Sequence, residues 1–151
     1  MGLLTRMMTR MMALTSPHMR ELGMRFVSAE DGVVVGMLPY RDDLVGDPQS
    51  GVLHGGVVTT LLDSTAGAAV ITRLRMPSPI ATLDLRIDYL RPSTPRAPLH
   101  ARVECYKVTR HVAFTRGIAY NTDEHDPVAS MAATFMLQTQ TVRGPAERGD
   151  G

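Results

Sequence analysis

Cysteine and tryptophan are scarce in this chain of 151 residues, which contains one cysteine and no tryptophan. A single cysteine excludes an intramolecular disulfide and favours a reducing, cytoplasmic setting. This residue, Cys105, lies in an alternating segment with no base near it in sequence. We therefore interpret it as a buried structural thiol and not as a nucleophile.

The chain also lacks an excess of charge, because its formal net charge is +1 and its basic residues are spread out. This distribution gives no argument for nucleic-acid binding. No apolar run approaches the ~20 residues that a membrane span needs, so no membrane partner is expected. Metal-ligand spacing is absent from the histidines His18, His100, His111 and His125, so no metal site is predicted.

The length suits a single domain of ordinary globular composition. We divide the chain into a helical segment (1–21), a main domain (22–140) and a tail (141–151) whose glycine, proline and charge predict disorder. The first 24 residues hold seven of the eleven methionines and no acidic residue before Glu21. An organelle targeting peptide would fit this composition, but we favour a Met-rich helix that packs on the domain.

Hydrophobic periodicity predicts six strands and three helices. The predicted strands cover residues 24–29, 33–39, 81–90, 99–108, 112–121 and 128–139, and the predicted helices cover 6–14, 17–22 and 54–74. Asp31-Gly32 is a strong hairpin signal between the first two strands. Residues 42–50, rich in Asp, Gly and Pro, are predicted to form a loop.

Strands therefore flank one long helix on both sides in sequence. This order favours an α+β fold, with an antiparallel sheet packed around the helix, over alternating βαβ units. The helix is apolar on nearly every face, so it is expected to be buried all round, by a wrapping sheet or by a sheet and a partner subunit. Along strand 81–90, strict alternation places Thr82 and Tyr89 on opposite faces.

The segment from Gly51 to Asp63, Gly-Val-Leu-His-Gly-Gly-Val-Val-Thr-Thr-Leu-Leu-Asp, carries the chemistry. His54, Gly55 and Gly56 open the helix, where backbone N–H groups and the helix dipole would polarise a carbonyl oxygen. A lone carboxylate on an apolar helix is costly unless it has a purpose. Asp63 either lies on an exposed stripe as a structural residue or acts as a base, and with the glycine pair it indicates acyl-transfer hydrolysis.

The spacing of these groups bears on assembly. Gly55 and Asp63 are eight residues apart, which is about 12 Å along a helix axis. One carbonyl group cannot be polarised at Gly55 and attacked by water held on Asp63 of the same helix. An antiparallel helix from a second subunit would supply the carboxylate, so the spacing predicts an obligate dimer with two composite sites.

The motif resembles the signature of hotdog-fold acyl-CoA thioesterases of the PaaI-like type. The similarity runs from about residue 22 to residue 139 and includes strand 81–92 and the segment 110–115. The resemblance implies a curved antiparallel sheet around a central helix. It also implies dimers or tetramers with active sites at the dimer interface and acyl-CoA as the substrate, without a cofactor.

The resemblance assigns roles by position. It implies that Asp63 activates water or attacks the thioester, that the Gly55 N–H polarises the carbonyl, that His54 orients or supports the site, and that Thr82 positions the water. The positions that line the substrate and its coenzyme A arm are Gly56, Tyr89, Arg110, His111, Val112, Ala113 and Phe114. Asp47 departs from the pattern, because family members often carry Asn in this loop and an ionised carboxylate cannot donate a hydrogen bond.

Two other functions remain open from the sequence. A hotdog hydratase acting on enoyl thioesters is disfavoured, because its usual His and acidic motif is absent. The third possibility is a hotdog domain that binds CoA esters without hydrolysing them. It is disfavoured, because no part of the sequence resembles an attached DNA-binding segment. For the assembly we expect a homodimer that associates further as a dimer of dimers.

Overall fold

The computed structural model describes residues 16–74 and 78–137, together with Leu3 and Met7. Its helices are α1 (Pro17–Glu21) and α2 (Gly55–Leu74), with a single 3-10 turn at Asp42–Leu44. Its strands are β1 (Arg25–Glu30), β2 (Val33–Leu38), β3 (Val45–Asp47), β4 (Val52–Leu53), β5 (Ile80–Tyr89), β6 (Leu99–Val108), β7 (Val112–Tyr120) and β8 (Ala129–Leu137). The predicted helix 6–14, except Met7, lies outside the described residues, as do residues 138–139 and the tail 141–151.

Six strands form one antiparallel sheet in the order β1-β2-β6-β7-β8-β5. The hairpin at Asp31-Gly32 is confirmed, with φ values of 37° and 88° that suit the primed turns favoured between twisted strands. The α+β prediction of an antiparallel sheet with one long helix is therefore confirmed. Strand β5 lies at the edge of the sheet, and β8 is its neighbour.

Helix α2 packs on one face of the sheet against β2, β6 and β7. Gly36 of β2 allows a close contact, because an added Cβ there would clash with the Thr65 hydroxyl of α2. Leu61 and Leu62 of α2 are completely buried. Because apolar atoms fill the space between helix and sheet, the apolar sequence of α2 is explained by burial.

The expectation that α2 is buried all round is only partly met within one chain. Asp63, Ser64, Gly67 and Ile71 remain partly exposed along one side of the helix. By length and mean hydropathy α2 would also suffice for a membrane span, contrary to the expectation from apolar runs, but half of that stretch is buried in this fold. The sheet thus covers one side of α2 and leaves a stripe open.

The prediction of a plain loop over residues 42–50 is wrong. This segment contains the 3-10 turn and β3, and β3 pairs antiparallel with β4 through Val45 and Leu53. The strands are too short to produce an alternating pattern that sequence reading detects. Their pairing fixes the chain directly before His54, where α2 begins.

Candidate active site

His54 caps the N-terminus of α2. The Gly56 N–H donates to His54 Nδ1 over 2.9 Å, so this donor is already satisfied. Because Nδ1 accepts a hydrogen bond, the neutral imidazole carries its proton on Nε2 and presents a donor there. An added Cβ on Gly56 would lie 3.0 Å from Nδ1, so the second glycine gives the ring room to fold back.

Gly55 leaves its own N–H uncommitted, since no acceptor within residues 16–74 and 78–137 bonds to it. Its carbonyl, in contrast, accepts from the Tyr89 hydroxyl at 2.8 Å and from Thr59 Oγ1 at 3.2 Å. An added Cβ would lie 3.3 Å from the Tyr89 hydroxyl, so the glycine allows this close contact. The Gly55 N–H is thus a fixed, open donor at the positive end of α2.

Thr59 was not predicted as a site residue. Its hydroxyl lies 3.0 Å from that of Tyr89, so Gly55, Thr59 and Tyr89 form one hydrogen-bonded group. A threonine four residues after the first helical glycine was visible in the sequence, but its partner is 30 residues away. Tyr89, expected to line the coenzyme A arm, therefore also holds the first turn of α2 in place.

Asp63 lies further along the open stripe of α2 and is half-buried. The Thr82 hydroxyl donates to Asp63 Oδ1 over 2.9 Å, which orients the carboxylate and leaves Oδ2 for a further partner. Asp63 and Thr82, both predicted site residues, are therefore brought together. This contact joins the middle of α2 to the first half of β5.

A β-bulge in β5 makes this contact possible. Thr82 and Tyr89 are seven residues apart, and both reach α2. Strict alternation predicts that the two residues lie on opposite faces of the sheet, and this prediction is wrong. The pairing with β8 shifts register between Thr82 and Asp84, with Leu83 as the extra residue, and this turns Thr82 toward the helix.

The chain thus carries two separate groups along α2 and β5. The first contains Gly55, Thr59 and Tyr89, and we call it the donor half-site. The second contains Asp63 and Thr82, and we call it the carboxylate half-site. Eight residues of helix separate Gly55 from Asp63, or about 12 Å, so the two half-sites of one chain do not meet.

The residues from 110 to 114, predicted to line the coenzyme A arm, lie in different environments: an exposed turn, the buried core and the face of the sheet away from α2. Arg110 and His111 are exposed in the turn between β6 and β7, and Arg110 has no ion-pair partner among the described residues. Val112 begins β7 and is partly exposed. Ala113 is completely buried, so its side chain offers no surface to a ligand. Phe114 lies near Tyr106, with ring centroids 6.4 Å apart, away from the α2 side.

Asp47, which departs from the family pattern, shapes the turn between β3 and β4. Its carboxylate accepts the Gln49 N–H at 3.1 Å. Hydrogen bonds from Ser50 and from the Gln49 backbone lower the pKa of Asp47. The group is exposed and ionised at neutral pH, and its contacts give it a structural role in this turn.

Two cavities flank the first turn of α2. The α1-side cavity, of about 380 Å³, lies between α1, the 3-10 turn and the first turns of α2. The β5-side cavity, of about 410 Å³, is bounded by Gly55, Tyr89 and the chain that follows β5. Both volumes are in the range of small-molecule sites. A group bound at the Gly55 N–H would therefore have space on either side.

Comparison with known proteins places the chain in a family. The sequence profile of the thioesterase superfamily matches residues 50–128. The medium/long-chain acyl-CoA thioesterase YigI of Escherichia coli is 31% identical over 134 residues, which are 80% of this chain and 85% of that protein. A relative from Halobacterium salinarum is 39% identical over 75 residues, so that this chain spans only half of its length (48% of this chain and 50% of that protein).

Solved structures agree with this assignment. A mutant form of the phenylacetic acid degradation protein PaaI from Thermus thermophilus superposes with a TM-score of 0.71 at 29% identity, over 82% of this chain and 100% of that chain. The chain therefore belongs to the thioesterase superfamily and is a hotdog-fold thioester hydrolase of the PaaI-like type.

Proposed function

We propose that the protein hydrolyses acyl-CoA or aroyl-CoA thioesters to the free acid and coenzyme A. The observation that carries this proposal is the contrast at the start of α2, where Gly56 is capped by His54 and Gly55 keeps an open N–H. That donor, at a helix N-terminus, suits the oxyanion that forms when a thioester carbonyl is attacked. The acyl-CoA activity named for the Escherichia coli relative supports the substrate class.

Asp63 is the group we propose for attack on the carbonyl. Acting as a base, its carboxylate takes a proton from water while the water oxygen bonds to the carbonyl carbon. The oxyanion then collapses, the C–S bond breaks, and the leaving thiolate of coenzyme A takes the proton. The hydrogen bond from Thr82 holds the carboxylate in place for this transfer. Direct attack by Asp63 is the alternative route: its carboxylate oxygen bonds to the carbonyl carbon, the C–S bond breaks to release the thiolate of coenzyme A, and a mixed anhydride remains. Attack of labelled water on the Asp63 carbonyl carbon of this anhydride would then release the acid and leave the label in the Asp63 carboxylate.

The expected rate gains are sufficient for an enzyme without a cofactor. A positioned general base contributes typically about 10²–10⁴-fold. One oxyanion donor contributes about 10²–10³-fold in addition. We therefore assign no metal or organic cofactor to the reaction, since coenzyme A enters as part of the substrate.

The site is completed by a second copy of the chain. The edge strand β5 exposes Leu83 by 55%, which suits pairing with another strand. Antiparallel pairing of two β5 strands about a two-fold axis brings Gly55 of one protomer toward Asp63 of the partner subunit. Each dimer then has two composite sites, and a dimer of dimers is the further assembly that we propose.

The remaining assignments concern the coenzyme A arm and the compartment. Arg110 is an exposed cation in the turn between β6 and β7, without an ion-pair partner among the described residues, and it is suited to a phosphate as a charge-assisted pair. Cys105 is buried and unpaired, and burial raises its thiol pKa, as fits an unreactive residue in a reducing cytoplasm. Nucleic acid and membrane are not among the partners that we propose.

The test is release of coenzyme A from a panel of acyl- and aroyl-CoA esters, followed with a thiol reagent. Asp63→Asn is expected to abolish release while leaving coenzyme A binding intact. The matched control is Asp84→Asn, which removes the same charge from the exposed side of β5 and is expected to retain activity. Binding without release across the whole panel would instead favour a CoA-ester-binding domain, and loss of enoyl absorbance would favour a hydratase.

A further inference from the structure

The α1-side cavity has an apolar floor and a polar rim. Leu22, Leu44 and Val57 line it as buried or half-buried residues, whereas His18 and His54 line it as exposed residues. A cavity with an apolar floor and a polar rim suits a molecule with an apolar chain and a polar group at one end. The rim includes His54, the residue that precedes the open N–H of Gly55.

An arginine outside the cavity connects two of the elements that border it. Arg41 donates from Nη1 to the carbonyl of Glu21, at the C-terminal end of α1. The same guanidinium pairs with Asp43 of the 3-10 turn, with Nε 2.9 Å from Oδ1. Arg41 thereby joins α1 to the turn on the other side of the cavity. A short helix that would be unstable alone is held where Leu22 faces the space.

We propose that the α1-side cavity holds the acyl chain of the substrate, that the β5-side cavity holds the pantetheine arm, and that Leu22 limits the chain length. This inference rests on the proposed thioesterase function, because it needs the thioester carbonyl at Gly55, between the two cavities. The β5-side cavity opens toward Tyr89 and Leu90, which are exposed and lead to solvent, as a long coenzyme A arm requires.

The cavity volume indicates the substrate class. A volume of about 380 Å³ lies at the lower end of the range of small-molecule sites, so it suits a medium-length acyl chain better than a very long one. We therefore expect straight-chain acyl-CoA esters of about eight to ten carbons to be hydrolysed with the highest kcat/KM. Longer chains would have to displace Leu22 or remain in water.

The experiment measures kcat/KM for a series of straight-chain acyl-CoA esters with Leu22→Ala. The variant is expected to raise the ratio of kcat/KM for twelve carbons to that for eight carbons by about tenfold or more. The matched control is Met19→Ala, because Met19 is equally buried on α1 but does not line the cavity. It is expected to cost similar stability and to leave the ratio within about twofold.

Two further variants keep the proposal testable if Leu22→Ala folds poorly. Val57→Phe fills the cavity floor and is expected to move the optimum to shorter chains. Leu90→Ala alters the β5-side cavity and is expected to raise KM by the same factor for every chain length. The assignment of the two cavities is wrong if Leu90→Ala changes the dependence of kcat/KM on chain length while Leu22→Ala and Val57→Phe leave it unchanged.

The two proposals fail in different ways. If the wild-type protein releases coenzyme A but the cavity variants leave its chain-length profile unchanged, the inference is wrong and the thioesterase function stands. If the wild-type protein releases no coenzyme A from any ester in the straight-chain series or in the panel of acyl- and aroyl-CoA esters, both proposals are wrong.

Discussion

Composite sites can be tested by mixing two inactive chains. Gly55 is the first residue of α2, where proline is tolerated because its missing N–H has no helical partner to lose. Gly55→Pro therefore deletes the proposed oxyanion donor, at an expected loss of about 10²–10³-fold in kcat. Asp63→Asn deletes the carboxylate, at a loss of about 10²–10⁴-fold. Each variant alone should show at most about 1% of wild-type activity.

The mixture should recover activity that neither chain has. When the two variants are refolded together in equal amounts, about half of the dimers contain one chain of each kind. In each mixed dimer, Gly55 of the Asp63→Asn chain faces Asp63 of the partner subunit, which makes one intact site out of two. The expected activity is therefore about one quarter of the wild-type value, measured as release of coenzyme A.

Two controls define the result. Gly55→Ala keeps the N–H but introduces the same Cβ contact with Tyr89, so it should lose much less activity than Gly55→Pro. A chain carrying both Gly55→Pro and Asp63→Asn, mixed with Asp63→Asn, has no intact combination and should show no recovery. If mixed dimers form, as measured by native mass spectrometry, and activity stays near 1%, the two half-sites do not combine across the interface.

Further substitutions test the contacts within each half-site and the turn at Asp47. Thr82→Val should lower kcat by about tenfold or more by removing the hydrogen bond to Asp63, and Thr82→Ser should restore most of it. Tyr89→Phe removes one hydroxyl from the Gly55 carbonyl and should lower the free energy of unfolding by about 1 kcal/mol in denaturant titrations. Because the pKa of Asp47 is lowered in the folded state, its ionised carboxylate stabilises the fold at pH values above the unfolded-state pKa. This stabilisation is lost as the pH falls through the folded-state pKa. Asp47→Asn should therefore flatten the decline in stability below about pH 4 and leave kcat unchanged.

Local patterns in the sequence were sufficient for most of the secondary structure. The hairpin at Asp31-Gly32 and the start of α2 near His54 follow from turn chemistry and capping, which depend on neighbouring residues only. The pairing of β3 with β4 was missed because two or three residues carry no measurable alternation. The family resemblance, carried by one motif and two strands, was confirmed by the superfamily match.

The sequence by itself determined the class of the fold and the distance between Gly55 and Asp63, because helix rise and hydrophobic periodicity are local properties. The family followed from the resemblance of the motif that ends at Asp63. Only the tertiary structure decided which donors are open and which residues face each other. The bulge at Leu83, which turns Thr82 toward Asp63, arises from the pairing of β5 with β8 and not from the strand alone. The contacts of Arg41 with Glu21 and Asp43 likewise join two segments beside the α1-side cavity that no periodic pattern connects.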